Sequence, residues 1–197
     1  MKKVLFMMAV VFLAITANAQ TNKQEESSKS ETVQLLQKDG VLLRKDFYDI
    51  GKVGGVTFQN IIITDMSTGE KTGALRLETY YYSSSLGTDT YIGTLDFDEL
   101  EGCIKSLTYI KDNVITSLPE IYTECEYKTK DGVRLGAYVR TTKKERDWRI
   151  YIQTRSYTNR SQEFLSSDKL VEVISLLNKS LENLKAVSYT HLRAHET

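Results

Sequence analysis

Paired carboxylates are the first residues in the sequence whose spacing could support chemistry. Asp96 and Asp98 lie close enough along the chain to act together in acid–base catalysis. The same stretch also fits a helix that begins at Asp98, with Glu101 completing a capping box. We favour the cap, because it is the simpler explanation of this spacing. The sequence also has neither a phosphate-binding glycine loop nor a GxSxG nucleophile elbow. We therefore predict no catalytic residue, no metal site and no cofactor.

The two histidines of the chain, His191 and His195, have the i, i+4 spacing of a helical metal site. However, the segment VSYTHLRAHET, residues 187–197, resembles the translation of a transposon-based sequencing adapter. We predict that this segment is an artefact and that the natural chain has no histidine. The commonest general base is then missing, so an enzyme would have to use carboxylate or serine residues.

Cys103 and Cys125 are the only cysteines. Cys103 lies on the apolar stripe of a predicted helix, and Cys125 alternates with Glu124 and Glu126 on a predicted strand. Both thiols are expected to face the core, either joined as a structural disulfide or separate as small hydrophobic groups. Their spacing is not that of a redox Cys-x-x-Cys motif.

A basic stretch from residue 128 to 160 contains ten basic and three acidic side chains. Arginine binds sulfate, phosphate or carboxylate groups, and tyrosine rings can stack on sugars. Strand alternation places arginines and tyrosines on one face, which is either a ligand-binding face or a solvated face whose arginines pair with Glu124 and Glu126. The residues predicted to lie on this face are Arg134, Tyr138, Arg140, Arg149, Tyr151 and Arg155.

The N-terminal end has the three parts of a secretory signal peptide. A basic start is followed by an apolar run from Val4 to Ile15 and by the small residues of Ala17-Asn18-Ala19. The run is too short to cross a hydrocarbon core of ~30 Å, which argues against an uncleaved anchor. We predict a leader over residues 1–19, a periplasmic or secreted protein, and no membrane span after cleavage.

A flexible polar tether is predicted over residues 20–37, because the stretch TNKQEESSKSE has no apolar side chain to offset ordering entropy. A single α+β domain is predicted over residues 38–186, with possible halves 38–117 and 118–186. Without the leader and residues 187–197, the 26 basic and 26 acidic side chains fall to 23 and 25, a net charge of −2. This charge argues against nucleic acid as a partner.

Each half of the domain is predicted to contain four strands followed by one helix. Apolar stripes at Leu100, Ile104 and Leu107 and from Leu170 to Leu184 indicate the helices, the second capped by Ser166 or Ser167. Runs of β-branched and apolar residues predict the strands, at Val41–Val53, Val56–Met66, Ala74–Tyr82, Thr90–Phe97, Ile121–Thr129, Val133–Thr141, Trp148–Ser156 and Gln162–Leu165.

The two helix entries align without gaps at an offset of 70, which matches Leu95 with Leu165 and Leu100 with Leu170. The fold is therefore predicted to be α+β, with antiparallel sheet and two helices. It is either two ββββα repeats or one sheet with both helices on one face.

The ββββα order resembles the repeat of the PUR and whirly nucleic-acid-binding proteins. The likeness is one of element order, and no functional residue is carried over from it. In its signal peptide and small β-rich domain, the chain also resembles exported proteins of Bacteroidota.

Two functions remain open from the sequence. The first is an exported, non-enzymatic module that binds a polyanion, an acidic or sulfated glycan, or an envelope protein through the arginine and tyrosine face. The second is a histidine-free hydrolase that uses carboxylate or serine residues. Carboxylates that converge in a cleft would favour the enzyme.

We expect the mature protein from its native host to begin at Gln20, because signal peptidase cleaves after the small residues at positions 17 and 19. Mass mapping of the N-terminal peptide checks this prediction. Recovery of a chain that starts at Met1 from the envelope fraction would contradict it.

Overall fold

The computed structural model of the protein describes residues 29–85 and 87–194. The predicted leader, most of the predicted tether and His195 lie outside the described residues. Among the residues described, no helix combines the length and apolar character needed to cross a membrane.

The described chain contains two antiparallel four-stranded sheets, each in sequential strand order. This arrangement confirms the predicted α+β class and the repeated ββββα order. The first sheet comprises β1 (Leu43–Val53), β2 (Val56–Asp65), β3 (Lys71–Ser83) and β4 (Gly87–Asp96), and the second comprises β5 (Glu124–Lys128), β6 (Arg134–Thr141), β7 (Arg146–Gln153) and β8 (Gln162–Ser166).

Three α-helices accompany the sheets in the described chain. Helix α1 (Glu31–Leu36) precedes the first sheet, and α2 (Phe97–Tyr109) follows it and continues as a π-helical turn (Ile110–Val114). Helix α3 (Leu170–Ala194) follows the second sheet after a 3₁₀ turn (Ser167–Lys169). From residue 187 onward, α3 belongs to the segment predicted to be an artefact.

Strand alternation determines which side chains reach the core, as the sequence predicted. In the second sheet, three pairs of opposite residues on β6 and β7 are buried: Leu135 with Ile152, Ala137 with Ile150, and Val139 with Trp148. These side chains form one hydrophobic cluster with apolar residues of the first sheet and of helices α2 and α3. The two sheets therefore share a core.

Each long helix packs across the boundary between the two halves. Helix α3 follows β8 but packs on β1, β2 and β3, whereas α2 contacts strands from both sheets. The buried side chain of Asn60 fixes the position of α3, since its Nδ2 donates to the Ser180 carbonyl at 3.0 Å and its Oδ1 accepts from the Ser180 hydroxyl. The first sheet therefore depends on a helix from the second half.

The two sheets approach each other closely at Gly93 of β4. A Cβ at this position would collide with the backbone carbonyl of Thr154, just after β7. Nearby, the hydroxyl groups of Thr79 and Thr154 are 2.8 Å apart and buried. Only glycine allows this approach without displacing the backbone.

The start of the described chain corrects the predicted tether, which extended to residue 37. Helix α1 lies within that range and is held by the Asp96 carboxylate, which accepts hydrogen bonds from the Ser30 hydroxyl (2.8 Å) and the Glu31 N–H (2.8 Å). Leu35 is buried on the outer face of the first sheet, beside Ile61, Ile63 and Ala74. The polar local sequence does not predict this helix, because the group that holds it, the Asp96 carboxylate, is distant in sequence.

Helix α2 begins two residues earlier than predicted. Its N-cap is Asp96 and its capping-box partner is Glu99, not Asp98 and Glu101. The Glu99 carboxylate accepts hydrogen bonds from the Asp96 N–H (3.0 Å) and from the Lys130 N–H (2.7 Å). Because Lys130 is distant in sequence, the local pattern does not show its contact with Glu99. This contact explains why Glu99, and not Glu101, is the buried glutamate of the capping box.

The β5–β6 turn fastens the second sheet to the end of the first. Gly132 has a φ of 87°, the left-handed region that favours glycine, and turns the chain there. The almost buried Asp131 carboxylate accepts hydrogen bonds from the Thr94 N–H (2.9 Å) and the Thr94 hydroxyl (3.1 Å). Its other oxygen accepts from Arg155 at 3.0 Å. Asp131 therefore joins β4, the turn and the end of β7.

We expect Asp131→Ala to lower the free energy of unfolding by about 2–4 kcal/mol, because it leaves the Thr94 N–H and the Arg155 guanidinium without their acceptor. Urea denaturation measures the change. Asp39→Ala removes an exposed carboxylate from a turn and serves as the matched control, with little expected effect. Equal stability of the two variants would contradict the assigned role of Asp131.

Candidate ligand-binding face

The outer face of the second sheet carries five of the six residues predicted for it. Strand register places Tyr138 opposite Arg149, Arg140 opposite Asp147, and Gly136 opposite Tyr151. Arg134 lies on the same side of β6, by alternation. The side chains of this face therefore follow the predicted order.

Arg155 lies outside this face. It follows the end of β7, and its guanidinium forms a salt bridge with the nearly buried Asp131 at 3.0 Å. The alternation that fits β7 does not continue into the loop that follows the strand. The prediction for Arg155 is corrected accordingly: this side chain joins the two sheets.

Two of the remaining arginines are paired with carboxylates. Arg140 contacts Asp147 and Glu145, each at 2.7 Å, and Arg134 contacts Glu126 at 3.8 Å. The positive excess counted from residue 128 to 160 omits Glu126, which β5 places on this face. The structure therefore shows part of the cross-strand pairing that the solvated-face alternative proposed.

Tyr151 is a buried part of the sheet. Its hydroxyl lies 2.7 Å from a Glu124 oxygen and 2.8 Å from a Glu126 oxygen, and its proton can be donated to only one of them at a time. The pKa of Tyr151 is raised far above its usual range, mainly by burial and in second place by these hydrogen bonds. Its ring packs against Gly136, where a Cβ would meet it. Tyr151 is thus a neutral phenol that anchors two carboxylates.

Arg149 differs from the other arginines of the face. Its guanidinium has neither a hydrogen bond nor a salt bridge with any residue that the structure describes, although the side chain is only partly exposed. Asp168 lies near enough to interact with its charge: the pKa of Asp168 is lowered mainly by a hydrogen bond from Ser166 and least by the Arg149 charge. The donors of this guanidinium are therefore available to a ligand.

Aromatic rings lie beside Arg149. Tyr138 is its cross-strand neighbour, and the Tyr138 and Phe164 rings meet edge to face with centroids 5.6 Å apart. Phe164 is 49% exposed. Phe164 is not among the residues predicted from the sequence for this face, although alternation from the inward-facing Leu165 places it there. Arg149, Tyr138 and Phe164 are hereafter called the Arg149 cluster.

The carboxylates that could suggest acid–base chemistry are engaged in the fold. Oxygens of Asp96, Asp98 and Glu99 lie within 4.8 Å of one another. Asp96 holds helix α1, Glu99 accepts two backbone N–H groups, and Asp98 forms a salt bridge with Lys130 at 2.6 Å. Burial raises the pKa of Glu99. This group therefore organises the start of α2.

Of the two arrangements left open for the cysteines, the structure has the separate thiols, since Cys103 and Cys125 are both free. Cys103 is fully buried in the core, and burial raises its pKa above the usual range of a thiol. Cys125 is only partly buried and faces the C-terminal part of α2, where it lines an open groove with Ser106 and Tyr109. The helical apolar stripe correctly turns Cys103 inward and strand alternation correctly turns Cys125 inward, but neither pattern defines how far apart the two thiols lie.

Comparison of the chain with protein-family models, with curated proteins and with solved structures gives no match. The argument for function therefore rests on the residues and their geometry.

We expect a thiol reagent to modify one cysteine per native molecule, Cys125, and to reach Cys103 only after denaturation. Partial exposure leaves Cys125 accessible, whereas burial and a raised pKa protect Cys103. Peptide mapping by mass spectrometry after alkylation without reductant identifies the modified residue. Complete protection of both residues until reduction would indicate a disulfide instead.

Proposed function

We propose that this protein is an exported, non-enzymatic binding module that recognises an acidic glycan through the Arg149 cluster. The observation that carries the proposal is the Arg149 guanidinium, which has no hydrogen bond among the described residues and lies beside aromatic rings. The predicted leader supplies the expectation of export, and it places the ligand in the periplasm or outside the cell.

The composition of the cluster favours a sugar that carries a carboxylate or sulfate. The donors of a guanidinium match the planar oxygens of such a group, and an aromatic side chain offers an apolar face to a sugar ring. Phe164 is half-exposed and therefore available for stacking. A single anionic group on the bound sugar is enough to pair with the Arg149 guanidinium while the sugar ring stacks on Phe164.

A densely charged polyanion fits the face less well. Arg140 and Arg134 already contact carboxylates, and Arg155 is engaged at the junction between the sheets. A polymer with many sulfates would meet Glu124 and Glu126 beside the cluster and experience repulsion. The unpaired donors of Arg149 thus favour local recognition of a single acidic group.

The alternative of a histidine-free hydrolase has weaker support. The carboxylates grouped at the start of α2 bind backbone N–H groups or Lys130. Tyr151 has a pKa raised far above neutrality and is held by glutamates. These groups stabilise the fold and give no specific reason to assign a reaction.

Arg149→Gln is expected to weaken binding of uronic acid-containing or sulfated oligosaccharides by about tenfold, because it removes a charge-assisted contact. Phe164→Ala should weaken binding further through loss of ring stacking. Isothermal titration calorimetry with the wild-type protein's best ligand from a defined oligosaccharide panel measures both effects.

Lys143→Gln is the matched control for Arg149→Gln, since it removes one positive charge from the exposed β6–β7 turn. It should bind the same oligosaccharide as the wild type does. Equal losses in the Lys143 and Arg149 variants would indicate non-specific charge attraction and contradict the proposed site. Failure of every acidic oligosaccharide to bind would contradict the glycan assignment.

A further inference from the structure

A second surface lies at the edge of the second sheet, where β5 pairs with β6 alone. The Thr123 carbonyl accepts from the Val139 N–H, and the Thr129 N–H donates to the Val133 carbonyl, each at 2.9 Å. Because these bonds bracket an antiparallel ladder, the odd-numbered residues of β5 direct their backbone groups toward β6. The backbone N–H and C=O groups of Glu124, Glu126 and Lys128 therefore point outward from the edge of the sheet, away from β6.

These outward-pointing backbone groups form no hydrogen bond with any residue that the structure describes. An exposed strand edge of this kind can accept an additional strand through main-chain hydrogen bonds. The edge is short, so a bound strand needs side-chain contacts as well.

An open groove of about 360 Å³ adjoins this edge and can supply those contacts. It lies between β5, the C-terminal part of α2 and the π-helical turn. Tyr109, on its helical side, is 63% exposed. The residues that line the groove are Lys105, Ser106, Tyr109, Ile110, Val114, Cys125 and Glu126.

The two sides of β5 differ in chemistry. The inner side presents Cys125 and the apolar groove, whereas the outer side presents the carboxylates of Glu124 and Glu126 together with the ammonium group of Lys128. Side chains of an added strand would alternate between these two environments. Apolar side chains fit the inner positions, and basic side chains fit the outer ones.

We propose that the β5 edge binds an extended peptide segment of a partner protein, in which apolar and basic residues alternate. The segment adds a fifth strand to the second sheet, places its apolar side chains in the groove and its basic side chains beside Glu124 and Glu126. The edge is the side of β5 that faces away from β6, whereas the Arg149 cluster lies on β6, β7 and β8, and the two sites take different classes of ligand.

A second copy of this chain is a poorer occupant of the same edge. In a symmetric antiparallel pair of β5 strands centred on Glu126, the two Glu126 carboxylates would lie opposite each other, and Glu124 alone would face an opposite charge, Lys128 of the other copy. Like charges on adjacent strands are destabilising. The excess of carboxylates over Lys128 on the outer side of β5 therefore favours a basic partner.

A synthetic peptide of sequence Ac-KVKVKVK-NH₂ is the probe for this proposal. We expect it, carrying a fluorescent label, to bind the full-length mature protein in fluorescence anisotropy, and to slow alkylation of Cys125, which lies in the groove. A peptide of the same composition without alternation should bind about tenfold more weakly, because its valines and lysines no longer match the two sides of β5. Equal binding of the two peptides would show charge attraction alone and overturn the proposal.

A modified probe and a protein variant separate strand addition from other contacts. Two versions of the peptide, N-methylated at either the odd or the even residues, test the main-chain hydrogen bonds, and at least one version should bind about tenfold more weakly. Lys128→Pro removes an outward N–H without removing a ladder bond to β6, and is expected to weaken the probe relative to Lys128→Ala. Unchanged binding in all these comparisons would overturn the proposal, as would complete absence of binding by the alternating peptide.

Sedimentation and urea denaturation complete the test. The protein should sediment as a monomer. The urea midpoint of Lys128→Pro should lie near that of Lys128→Ala, because the outward N–H has no partner to lose among the residues that the structure describes.

If Lys128→Pro alone is unfolded, Tyr109→Ala replaces it as the groove variant, with the exposed Tyr82→Ala as its control. A dimer that dissociates on substitution at this edge would identify a second copy as the occupant and overturn the proposal. Phe164→Ala should leave peptide binding unchanged, so failure at one surface is distinguishable from failure at the other.

Discussion

The contact between the Asp131 carboxylate and the end of β4 is the constraint on which the arrangement of the two sheets depends. Asp131 accepts hydrogen bonds from Thr94 in the first sheet and from Arg155 beyond β7. A carboxylate that is nearly buried has to keep such partners, because an unpaired buried charge is strongly unfavourable. The second sheet is therefore held in one position relative to the first, and its outer face remains open to solvent.

The same junction explains why residues that look suited to catalysis have structural functions. Asp96 holds helix α1, and Glu99 connects the start of α2 to Lys130. Each carboxylate satisfies backbone N–H groups that a helix start or a turn leaves without partners. An acidic cluster in a small domain can thus arise from the need to end a strand, begin a helix and receive a neighbouring turn within a few residues.

The arginines of the second half show how position in the fold changes the function of one residue type. Arg155 joins the sheets, Arg140 pairs with acidic neighbours, and Arg149 retains free donors among the described contacts. In our proposal, this difference concentrates ligand recognition at Arg149 and its aromatic neighbours. We also propose that the two glutamates of β5, which outnumber Lys128 on its outer side, suit its edge to a basic peptide, so that one sheet presents two chemically different surfaces.

The sequence alone determined the α+β class, the repeated ββββα order and the side of β6 and β7 on which Tyr138 and Arg149 lie, because periodicity is a local property of the chain. Only the tertiary structure decided that Glu99 caps α2, that Arg155 binds Asp131 and that the cysteines stay apart. Each of these features depends on groups that are distant in sequence, such as Lys130, whose backbone N–H binds Glu99 at the start of α2. Alternation gives the direction of a side chain, but the packing of separate elements decides which partner it meets.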